Sequence, residues 1–400
     1  RNFINERFNL NNSYNNVFYT FRRNCCNIPC AQKNKVLVIY TGGTMGMRKN
    51  ESNSLEPCPG YLATQIKEMP EIKVDEVPKI DIIEYEPIID SSDMNSSDWT
   101  RIVKDIEKNY FDYHGFVIIM GTDTMGYAAS AFSFMLEHLG KTVVVTGSMI
   151  PFCEVFTDAR RNFLVSVLVA ANSDIPEVCI FFNNVLLRGN RTSKISSTCL
   201  DAFDSPNFPP LATLGVTLNI DSHLIRRPPK HSFKAFTNMG PVPPVIKLTP
   251  GCALEFILNH LAESDLPENR SLVLEFFGTG NLPSRKQSFL EALERVTKSG
   301  KIVVAASQCM KGCVELDAYS VAAHLKKIGV VSVNDMTTAA ATTKLSYLIG
   351  KGLNNDEVRH WMEADICGEL TIDTTEIDPL HPTSKPEFPG AVKKPINQKK

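Results

Sequence analysis

Two apolar, strand-sized runs in this chain each stop abruptly at a turn rich in glycine and threonine, and that pairing restricts the fold more than any other feature. KVLVIY at 35–40 stops at TGGTMG, and HGFVIIM at 114–120 stops at GTDTMG. TVVVTG at 142–147 and EVCIFF at 177–182 repeat the arrangement, and IDIIEYEPI at 80–88 is a further candidate strand. The runs are near-continuous rather than alternating, so both faces of each strand must be covered. Helical patterns at 97–110, 127–139 and 156–171 separate them. Strand, helix, strand in repetition predicts an α/β fold with a parallel sheet.

A second alternation of strand and helix patterns runs from Val245 to Val333, and 400 residues suit two domains. We expect a larger N-terminal α/β domain over 35–228, a linker over 229–243 and a smaller C-terminal α/β domain over 244–364. Both are expected to be Rossmann-like parallel sheets. PNFPP, RRPPK and GPVPP between 199 and 244 disfavour regular elements and predict a long connector. The Asn-rich residues 1–34 read as a disordered leader or an arm, and the Pro-rich, basic 365–400 as a tail that makes little core.

Lys and Arg total 42 against 44 Asp and Glu, a formal charge of −2. That balance makes no electrostatic magnet for nucleic acid or anionic lipid, so neither is expected as a partner. The longest apolar runs fall well short of the roughly 20 residues a membrane span needs. The first residues show no secretory pattern, and 11 cysteines are an odd count spread through the chain. Cys179 and Cys252 are expected to be buried, and a reducing, cytoplasmic location is expected. Cys309 and Cys313 are not completed into a four-ligand cluster, and the eight histidines form no HxxxH or HExxH spacing, so no metal is expected. No G-x-S-x-G elbow accompanies them.

In open parallel sheets ligands bind beyond the carboxyl ends of the strands, where the glycine turns lie. TGGTMG offers unshielded backbone N–H groups at Gly42 and Gly43 between the hydroxyls of Thr41 and Thr44, a natural anion-stabilising arrangement. It matches neither a phosphate loop nor a dinucleotide turn, and no cofactor is expected. GTDTMG places Asp123 between Thr122 and Thr124. A threonine hydroxyl needs a base to become a nucleophile, and a lysine beside Asp123 would serve, though spacing alone does not say which lysine. Simple strand-to-helix connections with capping threonines remain the alternative at this stage.

TGGTMG at 41–46, DSSDM at 90–94, MGTDTM at 120–125, TGSMIP at 146–151 and RGNRTSK at 188–194 occur in this order. FGTGNLP at 277–283, QCMKGCV at 308–314 and DMTTAAATTKLSYLIG at 335–350 follow. Over roughly 35–362 the ordered set resembles the bacterial-type L-asparaginases, most of all the cytosolic type I branch. The resemblance implies hydrolysis of L-asparagine to aspartate and ammonia at a site where the two domains join. It implies Thr44 as the nucleophile, Thr122, Asp123 and Lys194 as its companions, and Gly43, Asp90 and Ser91 at the substrate. It further implies a homodimer or homotetramer in which Asn281 reaches a neighbouring subunit's site, and an effector region near Cys309.

This chain also departs from the family. Family members use a tyrosine in the loop after the first glycine turn, and 44–60 contains none; Tyr319 is the expected substitute, with Tyr61 as the second choice. The loop itself is a candidate lid. Ala159 and Arg161 stand where Gly and Glu are usual, and an acid is missing near Ala339, while Asp158 remains beside the expected pocket. Three rivals are open: hydrolysis of glutamine or another amide, cleavage of lysophospholipid, and an asparagine-sensing or structural homologue without turnover.

Overall fold

A computed structural model describes residues 34–283, 285–316 and 320–372. The expected leader, the end of the tail and Tyr319 lie outside the described residues.

The first sheet has eight strands: β1 Lys35–Tyr40, β2 Lys79–Glu84, β3 Gly115–Ile119, β4 Thr142–Thr146, β5 Val178–Phe182, β6 Val185–Arg188, β7 Ala212–Leu214 and β8 Leu218–Ile220. Their order is β8-β7-β6-β5-β4-β3-β1-β2. β2, β1, β3, β4 and β5 are parallel, and β6, β7 and β8 extend the sheet antiparallel. Alternate residues feed two cores. Leu37, Ile39, Phe116 and Ile118 pack with Trp99, Ile102 and Phe132, whereas Val36, Val38, Val117 and Ile119 pack with Leu62, Phe163 and Val167. The first set meets α2 Ser96–Asn109 and α3 Met125–Met135; the second meets α1 Tyr61–Glu68 and α4 Ala159–Asn172. A strand with helices on both sides has no polar face, which is why the runs read as continuous.

The second sheet is β9 Val245–Lys247, β10 Ser271–Phe276, β11 Ile302–Ser307 and β12 Val331–Ser332, in that order and all parallel. α5 Glu255–Glu263 and α6 Gln287–Lys298 supply Leu258 and Leu293 to one core. α7 Ser320–Lys327 follows, and α8 Thr338–Gly350 and α9 Asn355–Glu363 supply Leu345 and Met362 to the other. Phe134 of α3 joins that second core, and the Tyr347 hydroxyl of α8 donates to Glu137 at 2.7 Å, so the domains share a packed seam. Among the described residues no helix is long and apolar enough to cross a membrane.

Several expectations are corrected. The 199–244 connector is not irregular throughout: β7 and β8 lie within it, and Phe203–Asp204 pairs with Ser193–Lys194. The helix expected from Phe156 begins at Ala159, because Thr157 accepts the Ala159 N–H and Asp158 turns back to accept those of Met149 and Ile150. Cys252 is exposed, in the turn at Gly251 (φ +80°) that precedes α5; Cys179 is buried as expected. Residues 365–370 are no solvated tail, for Glu369 is fully buried and Leu370 joins the core of α8 and α9.

The Lys344 amine of α8 pairs with Glu369 at 2.6 Å, both side chains wholly buried. Lys344 also donates to the Met362 and Ala364 carbonyls, and Glu369 accepts the Ile366 and Cys367 N–H groups. Removing one partner of a dry, fully bonded pair leaves an uncompensated charge. Glu369→Ala should therefore lower unfolding free energy by about 3–5 kcal/mol, read as a reduced midpoint in urea.

Candidate active site

The strand order 2-1-3-4-5 reverses between β1 and β3, and the crevice beyond their carboxyl ends is where such sheets hold ligands. TGGT follows β1 and GTDT follows β3. Thr41 joins three strand ends: its N–H donates to the Ile119 carbonyl at 2.9 Å, and its own carbonyl accepts the Ile89 N–H at 2.7 Å.

The two turns touch through their backbones. Gly43 has φ +89°, and a Cβ there would lie 2.4 Å from the Gly121 nitrogen. Only glycine combines that dihedral with that approach. A Cβ on Gly121 would in turn lie 2.4 Å from the Ser91 hydroxyl oxygen. Ser91 is buried, and its carbonyl accepts the Thr124 hydroxyl at 2.7 Å. Thr44 and Thr122, each next in its turn, thus flank one backbone contact, with the DSSDM turn packed against it. Thr44 opens a single turn over 44–46 and is half-buried.

Lys194 arrives from β6 through the turn 189–191. Its amine donates to the Thr122 hydroxyl at 2.9 Å and to Asp123 at 2.6 Å. Asp123 is 64% exposed and Lys194 18%, so the pair is open to water on the acid's side. This arrangement joins one hydroxyl, one amine and one carboxylate in a line. It can hold the threonine oxygen toward a reacting group, relay a proton and stabilise negative charge.

Two family models match the chain: "Asparaginase, N-terminal" over residues 35–226 and "Glutaminase/Asparaginase C-terminal domain" over 244–362. The chain belongs to the bacterial-type, type I L-asparaginase family. Escherichia coli K12 L-asparaginase 1 is 42% identical over 346 residues, which cover 86% of this chain and 99% of that protein. The mouse 60 kDa lysophospholipase is 38% identical over 365 residues, covering 86% of this chain and 64% of that protein. Among solved structures, L-asparaginase I from Vibrio cholerae superposes with a TM-score of 0.78 at 40% identity, covering 86% of this chain and all of that one.

The structure brings Thr122, Asp123 and Lys194 into direct contact, and Gly43 and Ser91 into the same turn cluster. Asp90 lies at its rim, exposed, accepting the Ser92 N–H. Asn281 sits apart in the turn after β10, exposed, its backbone bonded to Phe277. Tyr61, the second-choice tyrosine, lines a cavity of 980 Å³ whose wall includes Arg48, Phe152 and Arg160 but neither Thr44 nor Lys194. Burial, with the nearby Cys153 thiol, pushes its phenol pKa up against the opposing Arg48 and Arg160 charges. Asp158 holds the turn after β4 through the Met149 and Ile150 N–H groups, and Arg161 is exposed on α4. Ala339 is buried at the start of α8, where the neighbouring Thr338 hydroxyl donates to Glu275 at 2.7 Å.

Two residues escaped the sequence reading. Tyr40, the last residue of β1, has a buried hydroxyl without a hydrogen-bond partner among the described residues, and a Cβ on Gly46 would lie 2.0 Å from it. Burial, then the Glu84 charge, push its pKa up. Arg191 is buried within the same RGNRTSK motif that carries Lys194. A large apolar run leading into a glycine turn gives Tyr40 no signal of its own, and a buried arginine is invisible without its partner.

The Gly43 contact supplies a structural test. Gly43→Ala must relieve both a left-handed backbone and an overlap with Gly121, and should cost at least about 2 kcal/mol in unfolding free energy. A melting temperature equal to that of the unaltered protein would show that the turns do not meet as described.

Proposed function

We propose that this chain hydrolyses the side-chain amide of L-asparagine to aspartate and ammonia, with Thr44 as nucleophile and no cofactor. Family membership and fold support an asparaginase-type amidohydrolase activity. The observation that carries the finer reading is the Lys194 amine bonded to both Thr122 and Asp123, beside the turn that holds Thr44.

In this reading the Thr44 hydroxyl attacks the amide carbon, and the resulting oxyanion is met by backbone N–H groups at Gly43 and Thr122. The C–N bond then breaks, ammonia leaves with a proton delivered through the site, and an ester-linked aspartyl enzyme remains. Water directed by Thr122 cleaves the ester and restores the Thr44 hydroxyl. Lys194 moves the proton and offsets negative charge, and Asp123 orients Lys194. Ser91 would bind the substrate's α-carboxylate, and Asp90 or Asp123 its ammonium, since a charge left unpaired in the closed complex is expensive.

The assembly would be a homodimer or homotetramer in the cytoplasm, with Asn281 contributed to a neighbouring subunit's site. Tyr319 is proposed to complete the site. Likeness to the lysophospholipase supports a second reading, ester hydrolysis at the same threonine, and the experiment below separates the two.

Ammonia release is to be followed over a concentration series of L-asparagine, L-glutamine and D-asparagine, with fatty-acid release from a lysophosphatidylcholine measured in parallel. Turnover is expected on L-asparagine foremost. Thr44→Ala and Lys194→Met should each lower kcat by about 10³-fold or more, with unchanged circular dichroism. Wild-type turnover in either variant would remove that residue from the mechanism, and fatty-acid release without ammonia would install the second reading.

A further inference from the structure

We propose that Arg191 is a positioning residue for the Lys194 amine, anchored by Asp335 of the second domain and Thr371 of the C-terminal segment. The kinetic part rests on the amidohydrolase reading above.

Arg191 is 1% exposed, and both terminal nitrogens of its guanidinium are hydrogen-bonded. It donates to both Asp335 carboxylate oxygens, at 3.0 and 2.7 Å, in the fork geometry that fixes direction as well as distance. It also donates to the Glu369 carbonyl at 2.8 Å, the Asn207 carbonyl at 2.9 Å and the Thr371 hydroxyl at 3.0 Å. Asp335 is held in return by the Thr371 N–H and hydroxyl. Burial works against this carboxylate, but its bonds to Arg191 and Thr371 outweigh that and keep its pKa below the ordinary range.

Two residues separate this anchor from Lys194, and the intervening backbone has no slack. The Thr192 hydroxyl donates to the Arg188 carbonyl at 2.7 Å. The Thr192 carbonyl lies 3.0 Å from where a Cβ on Gly126 would be, so the segment rests on the first turn of α3, just beyond Thr122 to Thr124. Ser193 and Lys194 are then paired in register with Asp204 and Phe203. With the backbone fixed at Arg191 and again at this pairing, the Lys194 side chain reaches Thr122 and Asp123 from one direction. The second domain thereby sets where a proton-carrying amine of the first domain stands. Arg191 touches neither Thr122 nor Asp123, and acts through Lys194.

Two variants test this: Arg191→Lys, which keeps the charge and loses the fork, and Thr371→Val, a milder change at an exposed position. The first readout needs no turnover. Trace acetic anhydride labels amines in the folded protein, and peptide mass spectrometry gives the labelling of Lys194 relative to exposed Lys67. Release of Lys194 should raise that ratio several-fold in both variants. The second readout is kinetic: kcat should fall about 10- to 100-fold in Arg191→Lys and about 2- to 5-fold in Thr371→Val, with KM within about twofold, as misplacing a reacting group by about 1 Å does.

A role confined to tying the domains together would lower the melting temperature and leave the labelling ratio and kcat of the folded protein unchanged. That result overturns the proposal, as does a fall in kcat without a change in labelling. If Arg191→Lys does not fold, Thr371→Val decides alone, and wild-type values for it overturn the proposal. An unaltered protein that releases no ammonia would defeat the amidohydrolase reading, while the labelling ratio would still decide the placement of Lys194.

Discussion

The backbone contact between Gly43 and Gly121 is the constraint on which the candidate site depends. Strands β1 and β3 are neighbours, so the turns that leave them start side by side, but side chains would ordinarily keep such turns apart. Two glycines remove that spacing, and the next residue in each turn is a threonine. Ser91 fills the remaining space over Gly121, so the third turn is fixed by the same contact. Three loops from separate strands are thereby packed on one contact.

Charge placement follows burial in an ordered way. Lys344 and Glu369, deep in the second domain, are both dry and fully bonded; Arg191 and Asp335 at the domain seam are nearly so. Lys194 and Asp123, at the candidate site, are partly open to water. Pairs of the first kind contribute little net stability against an apolar substitute, and their value lies in the geometry they impose.

Much of the architecture was legible because parallel strands covered on both sides leave long apolar runs, and because glycine-rich turns mark their ends. β3, β4 and β5 were read almost to the residue. Short antiparallel strands such as β7 and β8 carry three residues each and no sustained period, so they were lost in a Pro-rich stretch. Helix starts shifted where a side chain was recruited elsewhere, as Asp158 was by the turn after β4. Thr122, Asp123 and Lys194 could be grouped only through the family resemblance, since 71 positions separate the last two. The anchoring of Arg191 by Asp335, 144 positions away, left no sequence trace, and neither did the burial of residues 368–370. A Pro-rich ending reads as solvated until a buried lysine is seen to require its glutamate.

Arg191 is bonded to residues 178 and 180 positions further along the chain. During synthesis from the amino end, the first sheet can assemble long before Glu369 and Thr371 have left the ribosome. Until then Arg191 lacks its Asp335, Glu369 and Thr371 partners, and closing so large a loop is slow for the chain. The order of synthesis thereby places the first sheet ahead of the seam that buries Arg191.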